Sequence, residues 1–354
     1  MIISRTPFRL SFFGGGTDYP GWYRQHGGSV LATTINKYCY LNCRHYPPFF
    51  EHKFRAVYIK SENCHTVEEM SHPAIREVLR YLKWDRGLEV HHVADLPARG
   101  GMGTSSSFTV GLLHALYGLK GRISSKEDLA TQSIHIEQDL LKETVGSQDQ
   151  VSAAYGGLNR INFLENGQFQ VKSMTLPPER LAALQSHLML FYTGIKRTAS
   201  NVAESYVKNI EEKKQQLKKM TALVDESVAI LDSDRDILDF GRLLHDAWQI
   251  KRSFSSRVSN SKVDEMYELA RSAGAVGGKI AGAGGGGFMT LFVAPDRQAA
   301  VREQLNRFIY VPFQFETSGS QIIFYDPQEN YAQAEQDRTD RRISEFRELE
   351  PAEG

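Results

Sequence analysis

The stretch LEVHHVADLPARGGMGTSSS, residues 88–107, decides how the first half of this 354-residue chain folds. Its first nine residues have the composition of a strand, and FTVGLLHALYGL, directly after it, has the pattern of a helix. A glycine-rich loop that leads into a helix offers unpaired backbone N–H groups and the positive end of the helix dipole. We therefore expect an anion site at this loop, with phosphate as its usual occupant.

Three hydroxyl side chains follow the glycines of this loop: Thr104, Ser105 and Ser106. Such hydroxyls can hold a phosphate oxygen or reach a metal ion. The alternative is that Thr104 or Ser105 is simply the N-cap of the helix, a role that both residue types commonly fill.

Two other glycine-rich loops flank this one in the sequence. The later loop, GAGGGG at 282–287, matches the dinucleotide-binding string G-x-G-x-x-G, but it precedes a strand instead of opening a helix. We therefore discard a Rossmann site, and the absence of a Walker pattern excludes a P-loop NTPase. So many glycines predict a close approach to a ligand or to another loop.

The earlier loop belongs to PFRLSFFGGGTDY, residues 7–19, where an apolar strand carries Arg9. A buried arginine requires an acidic partner, because an unpaired buried charge is costly. Two acids are candidates for the same site. Glu137 interrupts an apolar helical stripe, although it could be a boundary residue that reaches solvent. Asp149 follows a Gly-Ser-Gln turn, where aspartate is common for local reasons.

Composition restricts the partners of the chain. Hydrophobic residues make up 41% and charged residues 24%, which is typical of a water-soluble globular protein. With 42 basic and 42 acidic residues, no bulk charge attracts the chain to nucleic acid or to a membrane surface. No apolar run is long enough to cross a bilayer and no signal peptide is evident, so we expect a cytoplasmic protein. Cys39, Cys43 and Cys64 form no CxxC pair, which argues against disulfides or a zinc site.

The order of predicted elements indicates an α+β protein of two domains. The first 60 residues read as β structure, whereas residues 198–271 are nearly all helical. We place the domains at 1–190 and 191–326, with a charged tail at 327–354, and expect the C-terminal strands to feed the sheet of the second domain. A capping box at Ser124 and Glu127 predicts a helix that runs to about Glu143.

Together, PFRLSFFGGGTD, PARGGMGTSSS and KIAGAGGGGF resemble, in order and spacing, the three motifs of the GHMP small-molecule kinases. The resemblance implies a two-domain fold with a left-handed β-α-β nucleotide site in the N-terminal domain and a helix-rich C-terminal α/β domain. It also implies that ATP and Mg²⁺ are the cofactors and that a small alcohol is phosphorylated.

Residue roles follow from the resemblance where positions match. It implies that ATP is bound by Gly100, Gly101, Met102, Gly103, Thr104, Ser105 and Ser106. Thr104 and Ser105 match the hydroxyl pair near the metal, and Glu137 resembles the metal-binding glutamate. Asp149 looks like the catalytic base of galactokinase-like members, and Arg9 resembles the basic residue that faces it. Asp149 would then be the acidic partner that burial of Arg9 requires.

The substrate site departs from the galactokinase pattern. Galactokinases carry Glu-His where this chain has Gly15-Gly16, so we expect room for a larger sugar beside Asp18. The triple glycine followed by Thr-Asp, together with FYTGIKRTAS at 191–200 and KRSFSS at 251–256, is similar to the branch that phosphorylates D-glycero-D-manno-heptose 7-phosphate at its anomeric carbon. That resemblance implies the 1,7-bisphosphate as product, for nucleotide-activated heptose synthesis. The alternatives are another sugar C1 kinase, for fucose or galactose, and a non-catalytic sugar sensor.

A sugar phosphate substrate needs cations for its existing phosphate. Lys196, Arg197, Lys251 and Arg252 are available, with arginine favoured for bidentate contact, although each could be a solvated helix charge. The full set expected to bind substrate is Gly15, Gly16, Thr17, Asp18, Gly284, Gly285, Lys196, Arg197 and Arg252. From the balanced charge we expect no nucleic-acid or membrane partner, and a homo-oligomer is left open.

Overall fold

The computed structural model describes residues 1–98, 100–195, 199–327 and 331–341, which form an α+β fold with two sheets. The strands are β1 (Ile2–Phe13), β2 (Gly28–His45), β3 (Phe54–Val57), β4 (Ser61–Cys64), β5 (Leu88–Ala94), β6 (Asn159–Phe163), β7 (Phe169–Ser173), β8 (Leu188–Tyr192), β9 (Ala275–Ile280), β10 (Phe288–Val293), β11 (Ile309–Tyr310), β12 (Phe315–Glu316) and β13 (Gln321–Tyr325). The α-helices are α1 (Pro20–His26), α2 (Pro73–Tyr81), α3 (Thr104–Leu119), α4 (Lys126–His135), α5 (Gln148–Tyr155), α6 (Pro178–Ser186), α7 (Ala199–Val207), α8 (Lys214–Leu231), α9 (Leu238–Arg252), α10 (Ser261–Ser272), α11 (Gln298–Gln304) and α12 (Ala332–Arg341).

The larger sheet is built around the long strand β2. Strand β1 pairs antiparallel with one edge of β2, and β13 pairs with the outer edge of β1. The other edge of β2 is covered in turn by β6, by the two-residue strand β12 and by β5. Strand β5 ends level with Thr6 of β1, and the central glycine loop that follows it, residues 97–103, reaches Arg9, whose backbone N–H donates to the Met102 carbonyl at 3.1 Å.

The smaller sheet has the order β11-β8-β10-β9, and all its pairs are antiparallel. We predicted that the C-terminal strands feed this sheet, and for β12 and β13 that prediction is wrong, because both pair with strands of the larger sheet. The alternating pattern of these short segments predicts a strand but not its partner. The division at residues 190 and 326 remains a proposal.

The helix-rich segment packs against both sheets. The α9 residue Phe240 meets Phe12 and Phe13 of β1 edge to face, with ring centroids 5.4 and 5.0 Å apart. A second apolar cluster joins the smaller sheet to α8, α9 and α10. The end of β1 is therefore held both by its pairing with β2 in the larger sheet and by packing against helix α9.

Local corrections concern helix limits. The capping box lies one residue later than predicted: the Ser125 hydroxyl accepts a hydrogen bond from the Asp128 backbone N–H, and the Asp128 carboxylate accepts one from the Ser125 backbone N–H. Helix α4 passes into a π-helix at Ile136–Leu140 instead of continuing as a regular helix to Glu143. After β10, a 3₁₀ turn at Pro295–Arg297 leads directly into the short helix α11.

Candidate active site

The central glycine loop joins β5 to α3, as predicted. Gly103 is the N-cap of α3 in the left-handed conformation, with φ of 72°, and no side chain caps the helix. The alternative role of Thr104 or Ser105 as N-cap is therefore wrong. These two residues are the first of the helix, and their hydroxyls do not cap it. A Cβ atom on Gly103 would lie 3.2 Å from Arg9 Cγ and 3.5 Å from the Asp149 carboxyl carbon, so the loop lies directly on these two residues.

Arg9 and Asp149 form a bidentate ion pair beneath this loop. Arg9 Nε donates to Asp149 Oδ1 at 2.7 Å, and a terminal guanidinium nitrogen donates to Oδ2 at 2.8 Å. The other terminal nitrogen donates to the Gly101 carbonyl at 2.6 Å. Arg9 is buried, whereas the Asp149 side chain keeps 25% of its surface exposed. Asp149 lies in the first turn of α5 instead of in a loop, and its carboxylate can meet a ligand.

Glu137 lies in the π-helix and is fully buried, so the alternative that it reaches solvent is wrong. Its Oε2 accepts hydrogen bonds from Ser106 Oγ at 2.9 Å and from Gln150 Nε2 at 2.5 Å. Its Oε1 is shielded from solvent and accepts no hydrogen bond of ordinary length among the described residues, although the Thr109 side chain also stabilises the carboxylate. Burial raises the pKa of Glu137 to about 7. Single-turn π-helices occur frequently at functional sites.

The surroundings of Glu137 fit a magnesium ion. The unpartnered carboxylate oxygen and the adjacent Ser106 hydroxyl are oxygen ligands, which Mg²⁺ prefers. Within the described part of the chain, no group of three or more His, Cys, Asp and Glu side chains could hold a metal by itself. Mg²⁺ usually completes its shell with water and substrate phosphates. The hydroxyl that contacts Glu137 is that of Ser106, so the assignment of Thr104 and Ser105 to the metal remains a proposal.

Asp18 is buried and both of its carboxylate oxygens are engaged within the protein. Oδ1 accepts from the Gly16 backbone at 2.9 Å, and Oδ2 accepts from Gln148 Nε2 at 2.9 Å. Burial raises the pKa of Asp18. Next to it, Thr17 is buried and donates to the Gly14 and Ser29 carbonyls. These two residues hold the first glycine loop in shape, and the expectation that they touch sugar remains a proposal.

The two glycines that replace Glu-His differ in their surroundings. A Cβ atom on Gly16 would lie 3.0 Å from both Leu217 and Phe254, so protein fills that side. A Cβ atom on Gly15 would come no closer than 3.9 Å to any neighbouring side chain. The room we predicted beside Asp18 is therefore present at Gly15 and absent at Gly16.

The third glycine loop, residues 282–287, lies in the hairpin connection between β9 and β10 and packs on the central glycine loop. A Cβ atom on Gly287 would lie 2.3 Å from the Gly100 carbonyl oxygen, and one on Gly282 would lie 2.7 Å from Gly101 Cα. Gly284 and Gly285 instead approach the backbone of Val258. The number of glycines in this loop predicted a close approach to a ligand or to another loop, and at Gly282 and Gly287 the approach is to the central glycine loop.

Of the four cations expected to bind the substrate phosphate, two lie among the described residues, and both have partners within the protein. Lys196 and Arg197 lie outside the described residues. Lys251 is buried and donates to the Gly282 carbonyl. Arg252, at the end of α9, is paired with Asp264 at 3.1 Å.

Sequence reasoning missed a further buried cation, Lys279 on β9. Its ammonium group donates to the Phe12 carbonyl at 2.8 Å, just before the first glycine loop. Burial and the nearby charge of Arg9 lower the pKa of Lys279 to about 7, against the opposing effect of Asp18. The signal in the sequence is a lysine between apolar residues of a strand, in GKIAG.

The fold and site define a class of protein: a two-domain small-molecule kinase, with a glycine loop at a helix start and a carboxylate–arginine pair beneath it. Comparison with known families gives the same class. The GHMP kinases N terminal domain matches residues 67–157 and the GHMP kinases C terminal domain matches residues 222–311, together just over half of the chain. The chain belongs to the GHMP kinase family and is therefore an ATP-dependent phosphotransferase.

Individual relatives are moderately similar. The chain is 28% identical to the D-glycero-alpha-D-manno-heptose 7-phosphate kinase of Campylobacter jejuni, over 84% of this chain and 91% of that protein. It is 26% identical to the L-fucokinase/L-fucose-1-P guanylyltransferase of Bacteroides fragilis, over 85% of this chain and 35% of that longer protein. The crystal structure of a D-glycero-D-manno-heptose 1-phosphate kinase from Bacteroides thetaiotaomicron shares the fold, with a TM-score of 0.75 and 23% identity, covering 92% of this chain and all of that one.

No helix among the described residues is both long and apolar enough to pass through a bilayer.

Proposed function

We propose that this kinase transfers the γ-phosphoryl group of ATP to the anomeric hydroxyl of D-glycero-D-manno-heptose 7-phosphate, giving the 1,7-bisphosphate. The similarity to a heptose 7-phosphate kinase along most of both chains supports the choice of sugar. The observation that carries the proposal is the bidentate pair of Arg9 and Asp149 beneath the phosphate-type loop.

In the proposed reaction, Asp149 accepts the proton of the attacking hydroxyl. Its carboxylate is oriented by two hydrogen bonds from Arg9 and remains partly exposed, as a base that must meet a substrate requires. Because Arg9 also contacts the Gly101 carbonyl, the base is fixed relative to the loop that would hold the ATP phosphates. Phosphoryl transfer depends mainly on such positioning and on charge stabilisation.

The start of α3 would bind the phosphates of ATP through its unpaired N–H groups and its dipole. Glu137 and Ser106, with Thr104 or Ser105 nearby in sequence, would hold Mg²⁺, which neutralises negative charge on the phosphates when bound. Arg197 and Arg252 would bind the 7-phosphate of the substrate. Because Arg252 is paired with Asp264 in this structure, it would have to exchange that carboxylate for the phosphate.

The test is a panel of sugars and sugar phosphates assayed for ATP-dependent product at C1. We expect the heptose 7-phosphate to be preferred to unphosphorylated heptose, galactose and fucose, by roughly 10-fold or more in kcat/KM if one charge-assisted contact to the phosphate is made. A higher kcat/KM for an unphosphorylated sugar would overturn the heptose assignment while leaving a C1 kinase in place.

The same panel, run on the wild type and on two variants, distinguishes a kinase from a non-catalytic sugar sensor. Asp149→Asn should lower kcat by about 10²- to 10⁴-fold, the usual contribution of a general base, and it should also lower the thermal unfolding midpoint, because the buried Arg9 guanidinium loses its carboxylate partner. The rate is therefore measured at a temperature where both forms are folded. Asp225→Asn, which removes a carboxylate paired with Arg160, is the control and should keep wild-type turnover. A sensor would bind a sugar in both forms and turn over none.

A further inference from the structure

Two polar oxygens beside Gly15 lack hydrogen-bond partners. Ser11 Oγ and Gln148 Oε1 are both shielded from solvent, and neither has a partner among the described residues. Ser11 Oγ and the Gln148 amide nitrogen each lie 3.9 Å from the position of a Cβ atom on Gly15. Buried polar groups are normally satisfied, and leaving them unpaired costs free energy, so a polar ligand is expected between them.

The orientation of the Gln148 amide follows from Asp18. Asp18 Oδ2 accepts hydrogen bonds from the Gln148 backbone N–H at 3.4 Å and from Nε2 at 2.9 Å. An oxygen that accepts from the backbone acts as an acceptor for the side chain too, so the amide turns its NH₂ group toward Asp18. The carbonyl oxygen of Gln148 is thereby left as an acceptor for something else.

These two side chains lie next to the proposed reaction centre. Arg9 and Ser11 are two residues apart on β1 and so share one face of the strand. Gln148 directly precedes Asp149 at the start of α5, and Arg9 binds Asp149. The pairing register of β1 with β2 shifts between Ser11 and Phe13, and such breaks in strand pairing often re-aim side chains near active sites.

We propose that Ser11 and Gln148 form a hydroxyl-binding subsite at Gly15 for a second hydroxyl of the substrate, the one on the carbon adjoining the phosphorylated position. The Ser11 hydroxyl donates to that oxygen, and the substrate hydroxyl donates to Gln148 Oε1, which satisfies both orphaned groups. The subsite deepens the proposed function, since it rests on Asp149 as the base for the neighbouring hydroxyl. Asp18 acts on the sugar indirectly, as the residue that positions Gln148.

Ser11→Ala is the first test. The serine hydroxyl has no hydrogen bond to described residues, so its removal should leave the thermal unfolding midpoint unchanged or slightly raised. Loss of one neutral hydrogen bond to the sugar should raise the sugar KM by about 3- to 10-fold. Ser4→Ala on the same strand is the matched control: Ser4 Oγ donates to the Gly111 carbonyl at 2.8 Å, so this variant should lose stability and keep the sugar KM.

Gly15→Ala tests the same space by filling it. The backbone of Gly15 lies outside the left-handed region and its Cβ position meets no atom closer than 3.9 Å, so the variant should fold like the wild type. Its methyl group would occupy the room between Ser11 and Gln148. The sugar KM should therefore rise while the ATP KM stays constant.

A substrate analogue completes the test. The sugar that performs best in the panel is compared with its 2-deoxy counterpart, in both wild-type and Ser11→Ala enzyme. In the wild type, the deoxy sugar should have the higher KM, and in Ser11→Ala that difference should shrink, because the interaction is already lost. Equilibrium binding of both sugars without ATP should show the same pattern.

The outcomes distinguish the two proposals. If Ser11→Ala and Gly15→Ala both keep the wild-type sugar KM, or if the deoxy difference is the same in both enzymes, the subsite is wrong and the kinase assignment stands. If the panel selects a sugar other than the heptose phosphate, the substrate assignment is wrong, and the subsite is tested with the sugar selected.

Discussion

At the scale of single residues, the notable feature is the amount of buried charge where the three glycine loops meet. Arg9, Asp18, Glu137 and Lys279 each keep 3% or less of their surface exposed. Arg9 is matched by Asp149, whereas Glu137 and Lys279 have pKa values moved toward neutrality by burial. Groups whose pKa is displaced by burial cluster at functional sites, because substrate or cofactor completes their surroundings.

Lys279 gives the first prediction, which concerns pH. Between its folded pKa of about 7 and the usual lysine value, the unfolded chain binds a proton that the folded chain lacks, so stability rises with pH. The unfolding free energy of the wild type relative to Lys279→Met should therefore increase from pH 7 to pH 9, by at most about 1.4 kcal/mol per pH unit. Urea denaturation at pH 7, 8 and 9 measures it.

The control for Lys279 is Lys208→Met, since the Lys208 side chain is 77% exposed. Its stability relative to the wild type should not vary over the same pH range. A flat difference for Lys279→Met as well would mean that the Lys279 ammonium group stays charged in the folded protein.

Glu137 gives the second prediction, which concerns the metal. Glu137→Gln replaces the buried carboxylate by an amide of nearly the same shape, so the helix should remain folded. We expect the Mg²⁺ concentration for half-maximal rate to rise by at least about 10-fold. Glu143→Gln, which removes a nearby exposed carboxylate, should change it little. An unchanged Mg²⁺ requirement combined with a lower unfolding midpoint would make Glu137 a structural residue.

At the scale of elements, the central and third loops support each other through glycine backbones. Phe288, which follows the third loop, donates its backbone N–H to the Gly100 carbonyl at 3.2 Å. The Gly100 carbonyl of the central loop fills the space that a side chain at Gly287 of the third loop would need. The third loop therefore acts as a backing for the loop that would hold ATP.

Gly287→Ala tests this support. The substitution forces a left-handed residue, with φ of +85°, and places a methyl group against the Gly100 carbonyl. The strain alone costs roughly 1–2 kcal/mol, and the overlap adds to it, so the unfolding midpoint should fall and the ATP KM should rise. Gly121→Ala carries similar strain, with φ of +68°, but meets no atom within 4 Å and should spare the ATP KM. Equal ATP KM values in the two variants would contradict the support.

The sequence predicts elements better than it predicts their partners. The glycine loop between a strand and a helix is recognisable because local composition determines it. The cost of burying a charge predicts an acidic partner for Arg9, and the resemblance to the GHMP kinases identifies Asp149 as that partner. The sheet that β12 and β13 join cannot be predicted from sequence, because a strand of two or five residues is compatible with either sheet. Ser11 and Gln148 were missed for a similar reason, since only the fold shows that their oxygens are unpartnered.

At the scale of the whole molecule, the larger sheet is completed by the far end of the chain. The N-terminal ammonium group donates to the Asp326 carbonyl at 2.7 Å, and the Asp326 N–H donates to the Met1 carbonyl at 2.8 Å. A Cβ atom on Gly319 would lie 2.1 Å from the Ala154 carbonyl, so the segment between β12 and β13 packs against the end of α5. The strand and helix that carry Arg9 and Asp149 both depend on residues after 314.

Two truncations test that dependence. A chain that ends at Asp326 keeps β13 and loses α12, whose Glu335 accepts a hydrogen bond from the Gly87 backbone at 2.8 Å. It should fold and keep sugar kinase activity. A chain that ends at Gln314 retains all three glycine motifs, yet it should unfold at a lower temperature and lose activity, because β1 and β2 lose paired edges. Full activity in the shorter chain would show that the sheet is complete without its last strands.

The pairing of β1 with β13 also bears on how the protein is made. The ribosome synthesises the strand that carries Arg9 long before its outer neighbour, since the paired residues Arg5 and Gln321 are 316 positions apart. During translation the nascent chain therefore has an open strand edge, a surface to which other chains can add. The edge of β1 is paired only after β13 has been synthesised, so a product terminated at Gln314 would have all three glycine motifs and an incomplete sheet beside Arg9.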